Sequence, residues 1–288
     1  MKPSPISLSS QRSTWSAGRS ALVALLLRDF TVIKKDIKLF FLRTVIQPFL
    51  LCFVFLYVFP KIGQSVGGGG VSPGAAESDF ATVLVAGVVG ISVMFQGLQS
   101  VALQMSQEFG FTREIEDRVQ APCPIWLVAL EKVVSGALQG MLSALIVLPI
   151  AALVHANGVH AAIHIHWLVM LTLVPLAALA MGSLGLVIGT SFEPRNIGLM
   201  FGFIVLPITF LGGTYYQWNR LAPVQIGGWH WLQTIVLVNP LLYVNEGMRA
   251  AFTDVAHIHL YLIYPVLLVF FAGFLSLGLR NFRRRVLS

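Results

Sequence analysis

Six apolar runs of helical length divide the chain: about Phe40 to Phe59, Phe80 to Leu103, Ile125 to Val154, Trp167 to Thr190, Ile197 to Gly212 and Leu260 to Leu279. A hydrocarbon layer about 30 Å thick takes roughly 20 apolar helical residues to cross. The third run is long enough to tilt or to begin as an interfacial turn. The runs are apolar on every face, whereas barrel strands alternate apolar and polar residues over about 10 positions. The pattern therefore predicts an all-α membrane protein of six transmembrane helices. Ahead of the first run, Leu22, Leu25, Leu26, Phe30 and Ile33 recur at helical spacing, with Lys34, Lys35 and Lys38 alongside. That arrangement predicts an amphipathic helix over 21–38, lying at the membrane interface with its lysines reaching the headgroups. The chain reads as one domain over 1–288: a Ser- and Pro-rich mobile start over 1–20, the interface helix, a bundle over 40–279 and a basic tail over 280–288.

Two of the segments between the runs carry more pattern than a linker needs. The first is Gln107 to Pro124, where Glu108, Arg113, Glu114, Glu116, Asp117 and Arg118 crowd into eleven positions. Phe111, Ile115 and Val119 recur every four residues beside that charged face. Such periodicity fits a short amphipathic helix ended by Pro122 and Pro124, and it fits a solvated loop equally well. The second is Gly213 to His259, about 47 residues rich in Trp, Tyr, Gly and Pro. Trp229 to Val238 is too short to span, and Trp and Tyr favour the membrane interface. A hairpin that re-enters the membrane from outside accommodates both facts if protein shelters its broken backbone; an aromatic belt on an external loop is the plainer alternative. By contrast, Lys61 to Asp79, with Gly67 to Gly70 and Ser72-Pro73-Gly74, reads as a flexible loop.

Composition agrees with the pattern. Only 11% of residues are charged, 56% are hydrophobic and the mean hydropathy is +0.80, against about 25% charged in soluble domains. Sixteen of the nineteen Lys and Arg fall in the N-terminal region, the connection after the second run with the first turns of the third, the connection after the fourth run and the C-terminal tail. Only Lys61, Arg220 and Arg249 fall on the other side. The positive-inside bias then places both termini in the cytoplasm, in a cell (inner) membrane. The net charge of +7 follows from topology and from attraction to anionic membrane lipids, so no nucleic-acid partner is implied. The apolar stretch Ala21 to Leu27 is too short for a signal sequence and no small-residue cleavage site follows it.

Catalytic motifs are missing from the sequence. It has no Gly-x-x-x-x-Gly-Lys-Ser/Thr phosphate loop, no His-Glu-x-x-His and no Gly-x-Ser-x-Gly, so the chain reads as a non-enzyme. Cys52 and Cys123 lie on different levels and read as free thiols. All seven histidines fall on the predicted outside, with His160, His164 and His166 close together. A surface metal site is one reading of that spacing, but no carboxylate or cysteine adjoins it in sequence, and no metal is expected. Glu246 and Arg249, at i, i+3 near the outer end of the last span, are expected to pair or to close the external face. Few charges fall inside the runs, which argues against a proton or sodium relay. Met94, Phe95, Gln96, Gln99, Phe201 and Phe203 are candidates to line a path for an amphipathic passenger.

Several of these features together resemble a known family. Arg28-Asp29-Phe30 leads into a Pro-containing first span at Gln47-Pro48, and a Glu-led charged segment runs from Glu108 to Ala121-Pro122-Cys123-Pro124. Glycine-rich helices follow, and Asn239-Pro240-Leu241-Leu242-Tyr243 with Glu246 and Arg249 precedes the last span. In order and spacing these resemble the type-2 permeases of ATP-binding-cassette exporters, a group that includes daunorubicin-type drug, nodulation-factor and O-antigen or teichoic-acid exporters. Leu242 stands where that family often has Thr, and Gly213-Thr214-Tyr215-Tyr216-Gln217 replaces its Gly-x-Phe-Phe-Pro.

The resemblance implies a permease subunit for an amphipathic or lipid-linked substrate: a drug, lipid, glycolipid or polysaccharide. It implies a second permease copy and two separate P-loop ATPase subunits that carry the ATP and Mg. Glu108, Phe111, Arg113, Glu114, Ile115, Glu116, Asp117 and Arg118 would then belong to a coupling helix. Tyr215, Tyr216, Trp229, Trp231, Asn239, Pro240, Tyr243, Glu246 and Arg249 would belong to an external gate. A stand-alone channel or secondary carrier is the alternative; a lipid-modifying enzyme would need clustered polar groups that the sequence does not show.

Overall fold

The computed structural model describes residues 23–24, 26–29, 31, 34–35, 37–62, 73–110, 124–154 and 161–287. Among them there is no strand; the only strand-like pairing is an isolated bridge between Ile226 and Trp229. Helix α1 is Ile37–Cys52, continued by a π-helical stretch Phe53–Val58 and a last turn Phe59–Lys61. Then come α2 (Pro73–Gly110), α3 (Ile125–Leu153), α4 (Trp167–Ser191), α5 (Ile197–Phe210), α6 (Trp231–Val236), α7 (Pro240–Phe252) and α8 (Leu260–Leu287).

Five of these helices are long and apolar enough to cross a membrane. The sixth expected span is the 14-residue α5, only about 21 Å long at 1.5 Å per residue. A 3-10 turn at Pro194–Asn196 precedes it, and Gly213, with φ +67°, turns the chain soon after its end. The six-span expectation thus becomes five long helices and one short one. Helix α2 departs the other way. It begins at Pro73, inside the stretch expected to be a flexible loop, and runs on to Gly110, past the expected end near Leu103. Glu108 therefore sits in the last turn of α2 rather than in the connecting segment.

Helix α2 is the central post. Its most apolar stretch is 94% buried, and it packs against α1, α3, α4 and α7. The comparable stretches of α1 and α8 are only 24% and 17% buried, so these two offer apolar faces outward. Without a hydrophobic drive between apolar helices in lipid, association depends on close backbone approach. Glycines provide it: a Cβ at Gly185 of α4 would lie 2.6 Å from the Leu98 carbonyl of α2. Pro149, Pro175, Pro207 and Pro265 lie inside α3, α4, α5 and α8, which a packed membrane bundle tolerates better than an exposed helix does.

Candidate functional site

Polar side chains concentrate at three levels of this apolar bundle. The first is α7 and the chain leading to it. Asn239 caps α7 by accepting from the Leu241 N–H at 3.0 Å, and Pro240 occupies the first helical position, where no donor is needed. The Asn239 amide also donates to the Ile208 carbonyl at 2.7 Å, tying α7 to α5. The Asn-Pro pair is therefore a helix start bolted to a neighbouring helix. Every residue of α7 is buried.

Glu246 and Arg249 sit one turn apart inside that helix. The Arg249 guanidinium donates to Glu246 Oε1 at 2.7 Å, to the Tyr216 carbonyl at 3.0 Å and to the Gly213 carbonyl. Glu246 also accepts from the Trp218 N–H at 3.0 Å and the Ile258 N–H at 2.9 Å. Asn245 donates to the Gly212 carbonyl at 2.7 Å and to Thr214 Oγ1 at 3.0 Å. One ion pair thus gathers the turn after α5, the Trp218–Leu221 turn and the link that leads into α8. The pairing expected from the i, i+3 spacing is present, but on a separate short helix and not at the end of the last span. The reason is a break: Thr253 to His259 leave the helical path before α8 begins at Leu260.

The other residues singled out here divide in two. Tyr243 donates to the Leu237 carbonyl at 3.0 Å and Tyr216 to the Phe210 carbonyl at 3.2 Å, so both brace the knot. Burial pushes the Tyr215 and Tyr216 phenols above their usual range; at Tyr216 the Gly213 backbone and Arg249 oppose that rise. Tyr215 packs its ring against Phe55 of the π-helical stretch. Trp231 opens α6 as a half-buried residue, while Trp229 is 60% exposed at a tight turn with Gly227 and Gly228 at positive φ.

The second level is midway along α1, α2 and α3. Thr44 Oγ1 donates to Gln96 Oε1, and Gln96 Nε2 donates to Gln139 Oε1, both at 3.4 Å. A cavity of about 30 Å³ opens here, lined by Thr44, Gln47, Phe95, Gln96, Gln99 and Ser143 among others. The buried Ser143 hydroxyl has no partner among the described residues, and the volume suits one water. Of the six path-lining candidates, Phe95, Gln96 and Gln99 meet at this cavity. Met94 is fully buried in the core, Phe203 is 75% exposed on the far side of α5, and Phe201 is half-buried.

The third level is the opposite end of the bundle. Lys132 of α3, 1% exposed, pairs with Glu108 of α2 at 2.9 Å and lies 3.7 Å from Asp29 and 4.0 Å from Glu131. Ser135 donates to Asp29 at 2.9 Å, so the helical segment around residue 29 is held to α3. Beside it, Arg285 of α8 donates to the carbonyls of Gly189, Thr190 and Phe192, capping α4, and its guanidinium lies 4.6 Å from the centre of the Phe109 ring. The ends of α2, α3, α4 and α8 are thereby clamped together. Phe111, Arg113, Glu114, Ile115, Glu116, Asp117 and Arg118 lie outside the described residues, and the charged segment they form leaves this clamp directly from Gly110.

Sequence reading missed the roles of Asp29, Ser135 and Arg285, because the partners of each come from other helices far along the chain. It also missed the neighbour of the histidines. The Asp254 carboxylate lies 3.1 Å from His164 Nδ1 and 3.0 Å from His166 Nε2, brought there by a separation of about ninety residues. His160 lies outside the described residues.

Comparison with known proteins agrees with this architecture. Residues 20–253 match the model of the ABC-2 type transporter family. The chain is 28% identical over 235 residues to the inner membrane transport permease YadH of Escherichia coli K12, covering 81% of this chain and 84% of that protein, and the same figures hold for YadH of Shigella flexneri. An all-helical chain with several membrane-length helices, matched across four-fifths of its length, belongs to the ABC-2 type transporter family and is a multi-pass membrane permease subunit.

Proposed function

We propose that this chain forms the translocation path of an ATP-driven exporter whose hydrolysis takes place on a separate P-loop ATPase. Family membership implies such a partner in general. Two permease copies would enclose the path, and the passenger would be amphipathic or lipid-linked. Both termini would face the cytoplasm, as the distribution of arginine and lysine argues.

The observation that carries the reading is the clamp around Lys132. A buried cation joins Glu108, at the end of the longest helix, to the helix that resumes after the charged segment. Force applied to the segment between them would therefore reach α2 and α3 as a unit. Those two helices, with α1, surround the polar cavity at Gln96. Glu114 and Arg118 would present the charged face that an ATPase cleft grips, with Phe111 and Ile115 on the apolar side. At the other end, the knot of Glu246 and Arg249 would hold the external exit shut, and α6 and α7 would form the re-entrant arm. Closure then needs a differential contact between two states, and the ATPase supplies it by closing on the segment.

The test is a paired charge reversal, Glu114→Lys with Arg118→Glu, in the complex of permease and ATPase. ATP hydrolysis stimulated by the permease should fall, while the thermal stability of the permease stays unchanged. Unaltered stimulation would remove the coupling role.

A further inference from the structure

We propose that His164, His166 and Asp254 form a binding site for a divalent transition-metal ion of the zinc class. Imidazole nitrogen and carboxylate oxygen are donors such an ion prefers. One donor atom from each of the three residues lies within 4.8 Å of the other two. Donors bound tetrahedrally at about 2.0–2.1 Å stand roughly 3.3 Å apart. His164 Nδ1 lies 3.1 Å from Asp254 Oδ2 and His166 Nε2 3.0 Å from Asp254 Oδ1, each close to that edge but on a different oxygen. An ion therefore enters by displacing these two contacts and binding both oxygens, or one oxygen after a small turn of the carboxylate. All three side chains are exposed, which leaves an entry path and room for water at the remaining coordination positions.

The backbone holds the donors in place before any ion arrives. Residues 161–166 run without helix, and His164 and His166 stand at i, i+2, which in an extended chain puts both rings on one face. Their N–H groups donate to the Phe252 and Ala251 carbonyls, each at 2.8 Å. This pins the segment along the end of α7, two residues before Asp254. On the far side, the Ala162 N–H donates to Thr82 Oγ1 of α2 at 2.9 Å. The connection ahead of α4 and the exit from α7 therefore meet in a fixed register. An ion bound here joins them and braces α7, the helix that carries Glu246 and Arg249. The donor set stands on geometry alone and holds whether or not the chain is an exporter.

The test uses the full-length chain in detergent, with any polyhistidine tag removed. Zinc titrated calorimetrically should bind at one equivalent per chain, and cobalt in its place should give the visible absorption of a low-symmetry, four-coordinate ion. His164→Ala with His166→Ala should weaken zinc roughly tenfold or more, since even outer partners of metal ligands cost 10–100-fold, and Asp254→Asn should weaken it similarly. Unfolding temperatures without metal should match the parent, because all three side chains are exposed. His257→Ala with His259→Ala should leave the affinity unchanged. No saturable binding, binding indifferent to the first two variants, or loss through the control variant would overturn the proposal.

Discussion

The knot on α7 can be tested by removing one charge at a time. Arg249→Met deletes the guanidinium that pairs with Glu246 at 2.7 Å and donates to the Gly213 and Tyr216 carbonyls. It leaves behind a carboxylate 1% exposed whose remaining partners are the Trp218 and Ile258 amides. Removing one member of a buried pair costs about 3–5 kcal/mol, and each stranded carbonyl adds about 1 kcal/mol. Glu246→Gln strands the opposite charge. Its amide can accept at one atom only, so one of the two backbone donors loses its partner as well. The double variant leaves neither charge uncompensated, so its cost should fall short of the sum of the single costs by about 2–3 kcal/mol, at the upper end of coupling between contacting residues. Unfolding in mixed micelles with rising SDS measures all four corners of this cycle. Single costs under about 1 kcal/mol, or additivity within about 0.5 kcal/mol, would refute the view that this pair organises the turn after α5 and the link that leads into α8.

Gly90→Ala should destabilise the chain by about 1–3 kcal/mol in the same titration, because a Cβ there overlaps Asn245 Oδ1; a neutral result would mean that α2 and α7 do not approach so closely. Lys132→Met should cost about 3–5 kcal/mol and reduce permease-stimulated ATP hydrolysis, with Lys132→Arg recovering part of both; stimulation untouched by Lys132→Met would separate the clamp from coupling. For topology, Gly69→Cys should react with an impermeant maleimide in intact cells and Arg284→Cys only after permeabilisation, and the reverse pattern would invert the assignment of sides.

The membrane class and most helices were legible because apolar runs of helical length have no other use in a chain with so few charges. Short α5 was less so: its apolar run continues to Gly212, but the helix ends at Phe210, and the positive φ at Gly213 turns the chain soon after. The pairing of Glu246 with Arg249 could be read from spacing within one helix, whereas their shared helix could not, since the break at Thr253 to His259 carries no proline or glycine. Contacts between distant elements were invisible in one sequence. Asp29 with Lys132, Arg285 with the end of α4, and Asp254 with two histidines each join segments from different parts of the chain.

The central claim is that this permease moves cargo only when a separate subunit hydrolyses ATP. The direct measurement is ATP hydrolysis in proteoliposomes holding the chain alone, the P-loop ATPase proposed as its partner alone, and the two together. The account predicts no hydrolysis by the permease and a vanadate-sensitive activity of the pair that exceeds that of the ATPase by itself. A pair no more active than the isolated ATPase, or solute flux driven by an ion gradient through the permease alone, would contradict it.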